Sequence, residues 1–109
     1  MAGRPGLSCE VSRQAAAVHV IATGEFDHRS RELFDRTVHA ALAGGPPSIV
    51  LDLTGVTFLS SEGMSALVSA TDLARETGST LEITPSRFVL RRLEFVGLTQ
   101  ILNLSSPPR

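Results

Sequence analysis

Apolar and polar positions follow two different periods along this chain. Leu7, Cys9 and Val11 alternate with Ser8, Glu10 and Ser12, the period of two expected of a half-buried strand. After a short turn near Gln14-Ala15, Val18-His19-Val20-Ile21-Ala22 reads as a second strand, antiparallel to the first. His19 has no residue at metal spacing and reads as an outward-facing strand residue. Gly24-Glu25-Phe26-Asp27 is expected to leave the sheet. The period then changes. Leu33, Phe34, Thr37, Val38, Ala41 and Leu42 fall on one helical face, with Arg29, Arg31, Glu32, Asp35, Arg36 and His39 on the other. That helix runs to about Ala43, with Asp27 or Ser30 as its cap. Gly44-Gly45-Pro46-Pro47 turns the chain back.

Ile49, Val50, Leu51 and Leu53 form a near-continuous apolar run, the pattern of a strand covered on both faces. Gly55 offers a break, and Phe58-Leu59 lead to Ser60-Ser61, where a helical pattern starts. Met64, Leu67, Val68, Thr71 and Ala74 make its inward stripe, and Gly78 closes it. The small residues Ser65, Ala66, Ser69 and Ala70 leave part of its surface low. They suit either tight packing on a sheet or a partner. Thr80 to Thr84 is the next strand, broken at Pro85. Ser86 caps a short helix from Arg87 to Val96, and Gly97 ends it. Ile101-Leu102-Asn103-Leu104 reads as a last strand. The resulting order is β-β-α-β-α-β-α-β. Alternation of this kind predicts an α/β fold with right-handed crossovers and a small, mixed, mostly parallel sheet. In such sheets the working site lies between a central strand and the following helix N-terminus, here Ser60 to Met64.

Two motifs carry a resemblance. Asp52-Leu53, Val56, Phe58 and Gly63 match the "DL", "V-x-F" and Asp-Ser-Ser-Gly signature of STAS domains, most closely the bacterial anti-sigma factor antagonists. Gly24-Glu25-Phe26-Asp27 is similar to the Gly-Glu-Leu-Asp of the same antagonists, and Leu93 to Leu98 resembles their late helix end. The resemblance spans residues 7–104 of a single domain, 1–109, with flexible ends at Met1–Gly6 and Ser105–Arg109. It implies helices packed mainly on one side of the sheet. It also implies a regulatory binding role: the antagonist binds an anti-sigma factor that is a serine kinase with a histidine-kinase-like ATPase fold, and phosphorylation separates the pair. Asp27, Ser60, Ser61, Glu62, Gly63 and Met64 would make that contact, in a monomer or weak homodimer.

The motif departs from the family at its centre. The acid of Asp-Ser-Ser-Gly falls on Ser60 and the first serine on Ser61; the phospho-acceptor serine falls on Glu62. A carboxylate cannot take the phosphate. Glu62 is then a fixed charge that partly imitates a phosphoserine, which carries about −1.5 to −2. Alternatively the acceptor has slipped to Ser61 or Ser60. In a third reading Glu62 simply suits the first turn of a helix, worth about 0.3–1 kcal/mol. Ser60 in place of an acid removes a charge where Glu62 adds one.

Composition narrows the alternatives. A net charge of −1 gives no electrostatic case for nucleic acid or an anionic membrane. No run reaches the ~18 apolar residues of a membrane span. The single cysteine, Cys9, excludes an intrachain disulfide and fits a cytoplasmic protein. His19, His28 and His39 are scattered over different elements, with no nucleophile–His–acid set, metal spacing or catalytic motif to suggest an enzyme. The remaining alternative is a small-ligand sensor, for a nucleotide or lipid, using the helix start as an anion site. Against it, no Gly-rich phosphate loop is present and Glu62 would repel phosphate.

Overall fold

The central element is β3 (Ser48–Leu59), whose residues Ile49, Leu51, Leu53, Val56 and Leu59 are all buried. The computed structural model describes residues 6–105. Within them β1 (Leu7–Arg13) pairs antiparallel with β2 (Ala17–Phe26), and β3 lies parallel to both β2 and β4 (Thr80–Pro85). The sheet order is β1-β2-β3-β4. The helices are α1 (Arg31–Leu42), α2 (Ser61–Glu76) and α3 (Arg87–Phe95), with short 3₁₀ turns at His28–Ser30 and Leu98–Gln100. The helices cover mainly one sheet face. Val20, Ala22, Ile49, Leu51 and Ile83 are buried there, while His19, Ile21, Val50 and Asp52 stay partly exposed behind them. The core is therefore sandwiched between one sheet face and the inward stripes of the helices, as Phe34, Val38 and Ala41 of α1 and Leu67, Ala70 and Ala74 of α2 show. Phe26 at the end of β2 meets Phe34 of α1 with ring centroids 4.6 Å apart.

Four expectations need correction. Gly24-Glu25-Phe26 stays in the sheet: β2 pairs with β3 as far as Phe26↔Leu59. Gly55 does not break β3. It pairs with Thr23, and the ladder carries a register shift on each side of it, between Ile21/Thr23 and Gly24/Glu25. The last strand, Ile101 to Leu104, is absent, so the order ends at α3. A single parallel bridge, Leu104 to Ile83, joins this segment to the sheet. Ile101 and Leu102 instead donate to the Leu98 carbonyl, and the Asn103 side chain takes the Leu81 carbonyl that an extended strand would have used. Finally, the two ends are tied where the description begins and stops. The Gly6 carbonyl accepts from Glu25, and the Ser105 amide donates to Ile83. The expectation of flexible ends otherwise falls on residues 1–5 and 106–109, outside the described residues.

Candidate functional site

The helix start is built by the ends of two adjacent strands. The Phe26 carbonyl, last in β2, accepts from the Ser60 amide at 2.9 Å. Ser60 has extended backbone geometry and its hydroxyl accepts from the Gly63 amide at 3.1 Å, so it is the N-cap of α2. Gly63 is buried, and a Cβ there would stand 2.9 Å from the Phe26 carbonyl and 2.7 Å from Leu59 Cδ1. Its missing side chain lets the first turn of α2 sit directly on the end of β2. The loop after β2 and the loop after β3 therefore meet, and Asp27 and Ser60 lie on one edge.

Within that edge the side chains face different ways. Ser61 and Glu62 are exposed and Ser60 is partly so, whereas Met64 is buried in the core. Gly63 and Met64 thus shape the site from beneath. The Ser61 hydroxyl makes no hydrogen bond among the described residues. Asp27 caps its own 3₁₀ turn by accepting from the Arg29 amide at 3.0 Å, and its carboxylate also takes the Arg29 guanidinium at 2.8 Å. That guanidinium holds the Asp27 carboxyl below the usual carboxylate range. Ser30 is not the side-chain cap of α1; its buried hydroxyl donates to the Glu25 carbonyl.

Glu62 is not a free charge. Its carboxylate lies 3.1 Å from Arg31 Nη1. The same guanidinium donates through Nε to Asp35 at 3.0 Å and through Nη2 to the Ser69 hydroxyl at 3.2 Å. Arg31 thereby ties the start of α1 to the first and third turns of α2. Sequence reasoning missed this residue, grouping it with the solvated face of α1. The i,i+4 pair with Asp35 was visible, but the partner 31 positions away was not. Beside this site the helices leave an open concavity lined by His28, Arg31, Glu32, Arg36 and Glu62. Both signs of charge line it, and no Gly-rich loop contributes. Among the described residues no group of three His, Cys, Asp or Glu side chains could hold a metal ion. None of the described helices is long and apolar enough to cross a membrane.

Comparison with known proteins points one way. The family described as Mlab, STAS domain matches residues 9–104. An anti-sigma factor antagonist from Mycobacterium paratuberculosis shares the fold at a TM-score of 0.77 and 26% identity, over 94% of this chain and 86% of that one. The anti-sigma factor antagonist SpoIIAA in its unphosphorylated form gives a TM-score of 0.76 at 16% identity, over 94% and 90%. The phosphorylated form of the Bacillus protein gives 0.70 at the same 16% identity, over 94% and 93%. At that identity the last two show the fold alone. No curated protein matches the chain by sequence.

Proposed function

The chain belongs to the STAS domain family, and on that premise we propose that it acts as an anti-sigma factor antagonist whose phospho-acceptor position is closed. The general role rests on its likeness to such antagonists in fold and motif. The partner is an anti-sigma factor with a histidine-kinase-like ATPase fold, met in the cytoplasm. Docking uses the edge formed by Asp27, Ser60, Ser61 and Glu62, with Gly63 and Met64 supporting it from below. The chain binds rather than catalyses.

The observation that carries this reading is the Arg31–Glu62 pair. A phosphoryl group placed against a partner disrupts by charge and desolvation. Glu62 brings one negative charge to that position, but Arg31 compensates it from within the same molecule. The surface offered to a partner then resembles the unphosphorylated antagonist more than the phosphorylated one. The partner is bound, and its kinase has no hydroxyl at position 62 to modify.

The test is incubation with the kinase-fold anti-sigma factors of the same genome, with and without ATP, followed by gel filtration and mass spectrometry. The wild type should form a complex that ATP does not release, with no phosphate gained. Glu62→Ser should gain one phosphate and dissociate. A phosphate on Ser61 or Ser60 of the wild type would show that the acceptor has slipped rather than closed. Absence of any complex at micromolar concentration would overturn the antagonist reading, and binding of a nucleotide or lipid instead would favour a ligand sensor.

A further inference from the structure

Among the described residues six large apolar side chains stand exposed, and four of them lie on α3 or border it. Phe88 and Phe95 lie on α3, and Val96 follows it. Phe58, on the adjoining end of β3, stacks with Phe88 at a centroid distance of 6.0 Å. Val89 and Leu93 are the buried side of α3. By helical geometry Arg87, Phe88, Arg91, Arg92 and Phe95 share the opposite arc. Among the described residues none of these three arginines has a carboxylate partner. Arg92 donates only to the Leu59 carbonyl. A cationic stripe with aromatic anchors has the composition of an interface core, enriched in aromatic residues and arginine. Phe95, 77% exposed, is its most prominent member.

This arc cannot meet itself across a two-fold axis, because arginine would face arginine. A complementary surface exists elsewhere on the same chain. Between α1 and α2 runs a groove of about 350 Å³ floored by Val38, Ala70 and Leu73 and edged by Asp35, Asp72 and Glu76, with His39 and Ser69 completing its rim. Asp35 and Asp72 already neighbour Arg31 and Arg75, but Glu76 has no cation against it among the described residues. The groove is apolar at its base and acidic at its edge, the inverse of the α3 arc.

We propose that α3 of one copy docks in the α1–α2 groove of a second copy, with Phe95 entering the apolar base and Arg87 and Arg91 facing the acidic edge. The contact is heterologous, so copies add head to tail and close into a ring only where the rotation between them permits. One short helix on a groove falls below the area of a standard stable interface, so the association is weak and reversible. A lipid surface fits less well. Polybasic lipid sites gather about 4–8 cationic residues, and Phe58 and Phe88 are packed on each other rather than free to insert. The inference does not depend on the antagonist reading.

Sedimentation velocity tests it, from roughly 10 µM to 1 mM, a range that spans weak affinities. The wild type should show a sedimentation coefficient that climbs with concentration in low salt and drops back in about 1 M salt, where screening reaches ~3 Å. Arg91→Ser/Phe95→Ser and Asp72→Lys/Glu76→Lys change only exposed side chains, and circular dichroism checks that both variants fold. Each alone should stay monomeric. Mixed, they should form a 1:1 pair and nothing larger, since one keeps the groove and the other keeps α3. A wild type that remains monomeric throughout overturns the proposal, as does a groove variant that still self-associates. Monomeric wild type that sediments with phosphatidylglycerol vesicles, and loses this in the α3 variant, would reassign the surface to lipid. A mixture that stays monomeric would also refute the pairing.

Discussion

Replacing Arg31 and Glu62, singly and together, measures whether the charge at position 62 is held by its own protein. The two groups approach to 3.1 Å. At an effective dielectric near 20 a pair at about 4 Å attracts by about 4 kcal/mol. Most of that is lost to solvent here, because the Arg31 side chain is 26% exposed and that of Glu62 49%. Pairs exposed to this degree measure about 0.2–1 kcal/mol. Arg31 is the more buried partner and is already positioned by Asp35 and Ser69, which argues for the upper half, about 0.7 kcal/mol. Arg31→Gln also loses the i,i+4 pair with Asp35, about 0.3–0.5 kcal/mol, so it should cost about 1 kcal/mol. Glu62→Gln also loses a favourable charge in the first turn of α2, about 0.3–1 kcal/mol, and should cost slightly more. The double variant should be less destabilised than the two single effects summed, by the coupling of about 0.7 kcal/mol. Urea unfolding of the four proteins gives this cycle directly, and in about 1 M salt the coupling should shrink. Single effects that add to within about 0.3 kcal/mol, the ordinary scatter of independent sites, would refute the pairing. Glu62 would then stand at the docking edge as an uncompensated charge, and the unphosphorylated-like surface proposed above would go with it.

Further outcomes follow from the same geometry. Gly63→Ala should destabilise by about 1–2 kcal/mol in urea, because overpacking against Phe26 and Leu59 outweighs a helix-propensity gain of about 1 kcal/mol. Ser86→Ala removes the hydroxyl that caps α3 and donates to the Val56 carbonyl, and should lower stability by about 1–3 kcal/mol. Burial pushes the Cys9 thiol up, partly offset by the neighbouring Thr37 hydroxyl. Iodoacetamide should therefore react more slowly than with free cysteine, and the rate should keep climbing above the ordinary thiol value of about 8.5. Stability linked to that neutral thiol is present below the ordinary value and is lost as pH rises through the raised one. The Asp27 carboxyl should titrate below the ordinary value of about 3.9 in NMR and return toward it in Arg29→Ala. Its contribution to stability is present above the ordinary value and is lost as pH falls through the lowered one.

The elements most legible in the sequence were those whose signals are local. Ser60 and Ser86 cap α2 and α3 through their own hydroxyls, each bonding an amide three residues on. The glycines following those helices, Gly78 and Gly97, adopt positive φ. The hairpin of β1 and β2 and the inward stripe of α1 follow from period alone. The errors share one cause, competition between local and distant bonding. Gly55 has the local signature of a break, but it pairs with Thr23 and the ladder to β2 continues past it through register shifts on either side. Ile101 to Leu104 has the composition of a strand, yet the Leu98 carbonyl is nearer than any sheet partner for two of its amides. Tertiary context overrides β propensity in this way because propensity largely reports packing against neighbours.

The proposed docking edge shows the same division. The start of α2 was readable, because a strand, a serine pair and a glycine follow one another along the chain. Its charge was not. Glu62 read alone is an anion at the phospho-acceptor position, and Arg31 read alone is one of several charges on a solvated helix face. Only the meeting of the β2 and β3 ends, fixed by the Phe26 carbonyl bonded to the Ser60 amide, brings the start of α1 beside the start of α2. Once those helix starts are adjacent, an arginine in the first turn of one reaches a carboxylate in the first turn of the other. The electrostatic state of the acceptor position therefore belongs to two helices and not to one motif. A relative that keeps the Glu but lacks the Arg would carry the same signature with an uncompensated negative charge at that position.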